Sequence, residues 1–208
     1  MENTPLLTAQ QGAILIKLAR DSLTQKLGRA GSPDAPVDLK AASADPALCR
    51  PGGIFVSLKM HNRLRGCIGT LSAREPLTEG AAIYAEHAAF HDPRFPALTA
   101  NELDRISIEV SVLTPPRPLA FSDAEDLLAK LRPGCDGVIL RKGGSSATFL
   151  PQVWEQLPQA EDFLSQLCLK AGLAQNAWRT ERLSIETYQV QYFSEKPMRQ
   201  TPPQAARD

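Results

Sequence analysis

The 208-residue sequence has no excess charge of either sign, since 23 Lys and Arg are matched by 23 Asp and Glu. No global field steers such a chain toward phosphate backbones or anionic lipid, so a nucleic-acid partner is not expected without a local basic patch. Cysteine is sparse: Cys49, Cys67, Cys135 and Cys168 lie far apart, with no Cys-x-x-Cys pair and no histidine in zinc-finger spacing. A structural metal is therefore not expected. No apolar run approaches the roughly 20 residues that a membrane span needs. Met1 to Pro5 carries an acid and no basic segment leading into an apolar one, unlike a signal peptide. Together these absences predict a reduced, cytoplasmic protein with no membrane part. Gly143-Gly144 lacks the following Lys-Ser or Lys-Thr of a Walker loop and the spaced glycines of a dinucleotide turn, so no nucleotide cofactor is implied.

An apolar content of 43% suffices for a buried core in one domain or two small lobes. Thr8 can cap a first helix carrying Ile14, Leu15 and Leu18, ended by Gly28. Ser32 to Arg50 reads as loop. Ile54 to Met60 and Leu64 to Leu71 read as a hairpin, and Glu75 to His91 as a second long helix. Thr99-Ala100-Asn101-Glu102 and Ser122-Asp123-Ala124-Glu125 read as capping boxes, each opening a short helix. Strand Arg105 to Thr114 lies between them. A second hairpin spans Gly137 to Arg141 and Ala147 to Leu150. Two helical pieces then lead to a last strand, Leu183 to Phe193. Hairpins outnumber strand-helix-strand units, which predicts an α+β fold with a mainly antiparallel sheet flanked by helices. Lys196 to Asp208 has three prolines and almost no large apolar residue, so a disordered tail is expected.

Leu64-Arg65-Gly66-Cys67-Ile68-Gly69 places a thiol between two glycines within a strand. Glycine weakens a strand unless a close approach requires it. A three-residue turn His61-Asn62-Arg63 would pair Met60 with Leu64 and gather Ile54, Val56, Leu58, Met60, Leu64 and Ile68 on one apolar face. Arg65 and Cys67 would then share the other face with Ser57 and Lys59, where the cations Arg65 and Lys59 favour thiolate. A two-residue turn would instead set Cys67 opposite Val56. Lone cysteines are also common small core residues, and the glycines also suit a β-bulge.

In the strand Arg105 to Thr114, Glu109 shares a face with Ser107 and Ser111, either as a base facing Cys67 or as a solvated carboxylate. His87 and His91 lie four apart on one helix side. His87 is a candidate base for the thiol; a metal pair lacks a third ligand. In a loop rigidified by Pro93 and Pro96, Asp92 and Arg94 either form an ion pair that holds the loop or present Arg94 to a carboxylate or phosphate. The catalytic candidates are thus Cys67, Glu109 and His87, and the substrate-binding candidates are Arg65, Gly66, Gly69, Asp92 and Arg94.

The hexapeptide resembles the signature of the AMMECR domain family, named for the Alport syndrome, midface hypoplasia and elliptocytosis chromosomal region. Further blocks agree: Ala89 to Pro96, Ile106 to Thr114, and Asp136 to Gly144 running on to Ala147-Thr148-Phe149-Leu150-Pro151. The resemblance covers nearly the whole chain, giving a domain over residues 5–195 and a tail over 196–208. It implies an α+β fold in two unequal lobes with a cleft between them. It also implies family association with a Memo-type protein and a radical-SAM protein. This chain has no three-cysteine iron-sulfur motif, so it is not the radical enzyme. Two readings follow: a thiol-centred enzyme or component of a modification pathway, and a non-catalytic regulatory module binding a protein or RNA.

Overall fold

The computed structural model describes residues 6–29, 42, 44–71 and 75–195; the expected tail lies outside them. Helix α1 (Ala9–Lys26) begins at Thr8, whose side chain accepts from Gln11 N while the Gln11 side chain accepts from Thr8 N. This reciprocal cap satisfies donors that the first helical turn leaves unpaired. After the short helix α2 (Pro46–Cys49) come β1 (Ile54–Met60), β2 (Arg63–Thr70) and helix α3 (Leu77–Phe90). A 3-10 turn, Leu103–Arg105, leads into β3 (Ile106–Leu113). Next come β4 (Arg117–Pro118), α4 (Ala124–Lys130), β5 (Gly137–Lys142) and β6 (Ser145–Phe149). The described chain closes with a 3-10 turn (Pro151–Glu155), α5 (Ala160–Lys170), α6 (Ala177–Thr180), β7 (Ser184–Tyr188) and β8 (Val190–Ser194). Helices and two separate sheets, with β1–β2, β4–β7, β5–β6 and β5–β7 antiparallel, make this an α+β fold.

The chain divides into two units, one holding residues 6–111 with 192–195 and the other residues 112–191. In the first, the sheet order is β2-β1-β3-β8, which leaves β2 at an edge. Ile54, Val56 and Leu58 of β1 and Ile106, Ile108 and Val110 of β3 are buried, in the period of two that a one-sided sheet requires. Helix α3 packs on β1 and β2, and α1 packs on α3.

The second unit has the sheet order β4-β7-β5-β6. Its core gathers Leu127, Leu140, Trp154, Phe163, Leu167 and Trp178. The Trp154 and Phe163 rings stack with centroids 3.8 Å apart. Trp154 Nε1 donates to Asp136 O at 2.7 Å, so the indole brings its apolar area inside without stranding its N–H. Cys168 is fully buried, and burial pushes its thiol pKa up.

Several sequence expectations need correction. The turn of the first hairpin has two residues, His61 and Asn62, both at positive φ (51° and 60°), as a primed turn between twisted strands demands. Met60 therefore pairs with Arg63 and Lys59 with Leu64, but Leu58 pairs with Gly66, so Arg65 is an extra residue in a bulge. From Ser57–Cys67 onward the bulge restores the register that a three-residue turn would have given. Leu64 pays for this with exposure, standing 44% accessible instead of in the core.

Asp123, not Ser122, caps α4, because its carboxylate accepts from Asp126 N while Asp126 reaches back to Ser122 N. The Thr99 box precedes only a 3-10 turn whose cap is Glu102: the Glu102 carboxylate accepts from Thr99 N, but Thr99 Oγ1 donates to that carboxylate and the Glu102 amide donates to the Thr99 carbonyl. The single last strand is two, β7 and β8, separated by Gln189 and belonging to different sheets. Gln189 N donates to Thr114 Oγ1 and its carbonyl accepts from Thr114 N, so both its backbone groups are paired to one residue between the two strands.

Candidate functional site

Bulge, edge and glycine act together on strand β2. Gly66 faces α3 so closely that a Cβ would stand 2.1 Å from the Ala88 carbonyl oxygen. A Cβ on Gly69 would stand 2.2 Å from the Ile54 carbonyl oxygen. Close backbone approach is thus the reason for both glycines.

On an edge strand, alternate N–H and C=O groups point away from the sheet and need other partners. At Cys67 these come from the loop after α3. The amide N–H of Cys67 donates to Asp92 Oδ2 at 2.9 Å, and its carbonyl accepts from Arg94 Nη2 at 3.1 Å. The two side chains are themselves joined: Arg94 Nε donates to Asp92 Oδ1 at 2.9 Å, Nη2 to Oδ2 at 2.7 Å, and Arg94 N to Oδ1 at 3.1 Å. The Asp92 side chain is almost fully buried, whereas Arg94 is 55% exposed. Asp92 and Arg94 therefore form the internal ion pair considered above, and one guanidinium face remains open to solvent.

The Cys67 thiol is half-buried, and Ser57 Oγ donates to its sulfur at 3.2 Å. Ser57 itself is buried; the sequence reading placed it on this face but gave it no role. On the same side of β1, Lys59 Nζ lies 2.9 Å from Glu109 Oε2. Cys67, Ser57, Lys59 and Glu109 thus share one face of three adjacent strands. Neither cation expected beside the thiol is uncommitted: Lys59 is held by Glu109, and Arg65 is turned elsewhere. Arg65 Nε donates to Glu102 Oε1 at 2.9 Å, and Nη2 donates to Glu102 Oε2 at 3.2 Å and to Ala97 O. The bulge redirects Arg65, because an extra residue breaks the side-to-side alternation. Glu102 was read only as a capping acid. The available signal was the need of a buried arginine for a carboxylate fork.

His87 is exposed, and its ring contacts are with Tyr84 and His91, edge to face. No hydrogen bond joins it to Cys67 among the described residues. Nor do three His, Cys, Asp or Glu residues gather as a metal site among them.

The Asp92–Arg94 and Glu102–Arg65 pairs give the region a defined response to acid. The Arg94 guanidinium holds the Asp92 carboxyl well below the ordinary carboxylate range, helped by the Cys67 and Arg94 amides. The Arg65 guanidinium lowers Glu102 from 4.5 to about 2, helped by Thr99. Both acids bind protons more weakly folded than unfolded, so their stabilisation is complete above the ordinary glutamate value and lost as pH falls toward about 2. Urea midpoints should therefore be flat from neutral pH to about 5 and fall steeply below. Glu102→Gln should flatten the lower part of that fall. A midpoint independent of pH down to 2.5 would show that the pairs add nothing.

A two-sheet α+β protein with a glycine-flanked cysteine on a clamped edge strand is the class that these features define. The family model AMMECR1 matches residues 16–193, and the chain belongs to this family. An archaeal protein of Thermofilum pendens is 38% identical over 204 residues, covering 91% of this chain and 92% of that protein. The crystal structure of uncharacterized protein PH0010 from Pyrococcus horikoshii superposes with a TM-score of 0.76 at 34% identity, over 92% of this chain and 94% of that one. No described helix is long and apolar enough to cross a membrane.

Proposed function

We propose that this AMMECR1-family protein is a thiol-centred enzyme, or a substrate-handling component of a modification pathway, with Cys67 as its nucleophile. Memo-type and radical-SAM proteins would be its pathway partners, with the chain as protein A of an AmmeMemoRadiSam system in the reducing cytoplasm. One observation carries the reading: Cys67 is a half-buried thiol whose own backbone is locked on both sides by Asp92 and Arg94. Fixing a reacting atom's backbone is how a protein holds a nucleophile in attack geometry. Glu109, on the same face, is the base; Arg94 offers its exposed side to an acidic group of the substrate. Asp92 orients Arg94, Gly66 and Gly69 let the strand lie close to its neighbours, and Arg65 anchors the bulge that sets the register. His87 stands outside this set because its ring contacts are Tyr84 and His91.

A second reading, a regulatory module binding a protein or RNA, is favoured by the neutralisation of Lys59 and Arg65 by carboxylates. That arrangement suits a stable surface better than an activated thiol.

Alkylation separates the two. With substoichiometric iodoacetamide near neutral pH, native Cys67 should label faster than Cys135, although Cys135 is exposed, and Cys168 should stay protected. Mapping by mass spectrometry reads the order. If Cys67 labels only after denaturant is added, the thiol reading fails and the binding reading takes its place.

A further inference from the structure

Ser57 stands directly opposite Cys67 in the ladder between β1 and β2. The Cys67 N–H and C=O are turned outward to Asp92 and Arg94, so this is a pair without ladder bonds between its two residues. In antiparallel sheets such pairs bring their Cα atoms to about 4.5 Å, against about 5.5 Å in the bonded pairs, and their side chains lie closer. Ser57 Oγ accordingly reaches the sulfur and donates to it at 3.2 Å.

Ser57 is 7% exposed, and the sulfur is the one hydrogen-bond partner of its hydroxyl among the described residues. A neutral thiol is a weak acceptor, so a buried hydroxyl gains little from it. A thiolate accepts a charge-assisted bond, roughly twice as strong. The hydroxyl therefore favours the ionised sulfur. Formal charge around the sulfur does not supply that preference. Lys59 of β1 is joined to Glu109 of β3, and Arg94 is joined to Asp92 in the loop after α3. On α3 itself, Glu86 is turned to Lys26 of α1, and the His87 ring lies against Tyr84 and His91. Each cation beside the thiol is thus matched by a carboxylate, and the group left aimed at Sγ is neutral.

We propose that Ser57 is a positioning residue for the Cys67 thiolate, its hydroxyl donating to Sγ so that the anion is held in one direction and favoured over the thiol. This rests on the reading of Cys67 as the nucleophile, and it adds the group that holds the reacting atom itself.

The test is an NMR titration of the full chain, isotope-labelled at the cysteine β-carbons, from about pH 6 to 10, a range that spans the ordinary thiol value of about 8.5. The Cys67 signal is identified by its loss in Cys67→Ser. Ser57→Ala removes one oxygen and should move the Cys67 curve to higher pH. The thiolate fraction near neutral pH should fall roughly fivefold, from the excess of a hydrogen bond to a charged group over one to a neutral group. Ser57→Thr keeps the hydroxyl and should return the curve toward that of the parent. A role in packing alone would alter the melting temperature and leave the curve in place. If Ser57→Ala does not fold, Ser57→Val against Ser57→Thr gives the same comparison, since the two differ by the hydroxyl at nearly equal shape. Coincident curves for parent and Ser57→Ala, or a parent thiol that does not ionise while folded, overturn the proposal. The titration reads ionisation and alkylation reads reactivity, so the two ideas fail separately. Coincident curves beside rapid native labelling of Cys67 would remove Ser57 and keep the nucleophile. Separated curves beside a Cys67 that labels only in denaturant would retain the hydrogen bond to the anion and sink the thiol reading.

Discussion

Alanine at position 66 should destabilise the protein by about 3 kcal/mol, within the upper range for forcing extra volume into a packed region. For a chain of this size that is a fall in melting temperature of roughly 6–12 °C. The added methyl would stand 2.1 Å from the Ala88 carbonyl oxygen and 3.0 Å from its carbon. Both atoms are backbone of α3, so no side-chain rotation relieves the contact; strand or helix must move. Gly66 is not at positive φ, so the effect is steric and does not arise from a left-handed conformation. Gly144→Ala is the matched control, since nothing lies within 4 Å of the Cβ position there. Both tryptophans, Trp154 and Trp178, belong to residues 112–191. Far-UV circular dichroism, which reads the helices and strands of both units, is therefore the appropriate probe. Equal melting temperatures for the two alanine variants would show that β2 and α3 can separate without cost.

Glu102→Ala should be more damaging still, at about 3–5 kcal/mol by urea denaturation, the usual cost of leaving one member of a buried pair uncompensated. The Arg65 side chain is 8% exposed. Two of its nitrogens are held by Glu102, and the third, Nη1, is buried with no hydrogen-bond partner. Removing the carboxylate would leave a cation that can neither reach water nor give up its proton. Pairing the change with Arg65→Met should recover most of the loss, because an apolar replacement of a buried ion pair is often neutral. If Glu102→Ala costs less than about 1 kcal/mol, Arg65 finds water or another acceptor, and the pair is weaker than a buried fork should be.

The hairpin, the two long helices and the α+β class were legible because each rests on local signals: alternation, helical spacing, and a cap at Thr8. The face carrying Cys67 was legible too, but for an incomplete reason. A two-residue turn alone would have put the thiol against Val56, and only the extra residue at Arg65 returns it to Ser57. A bulge depends on what lies across the sheet and under it, here α3 against Gly66, and no local pattern encodes that. The split at Gln189 was hidden for a similar reason, since β7 and β8 read as one continuous strand until their different partners are known. Asp92 and Arg94 were recognisable as a pair from their spacing. Their use of both backbone groups of Cys67 was not, because it depends on where the loop returns. Glu102 shows the converse limit: one carboxylate serves both the Thr99 box and Arg65, and the sequence displays only the nearer role.

The Asp92–Arg94 pair does at Cys67 what another strand would do, filling one donor and one acceptor at the border of the sheet. An unclaimed border invites a second polypeptide to continue the ladder, in useful recognition or in fibrous association. At this residue the invitation is withdrawn by side chains rather than by shortening or covering the strand. A peptide arriving at the motif would have to unseat a buried carboxylate before it could zip along the backbone. Cys67 can therefore sit at the border of the sheet without its own backbone becoming a seed for polymerisation.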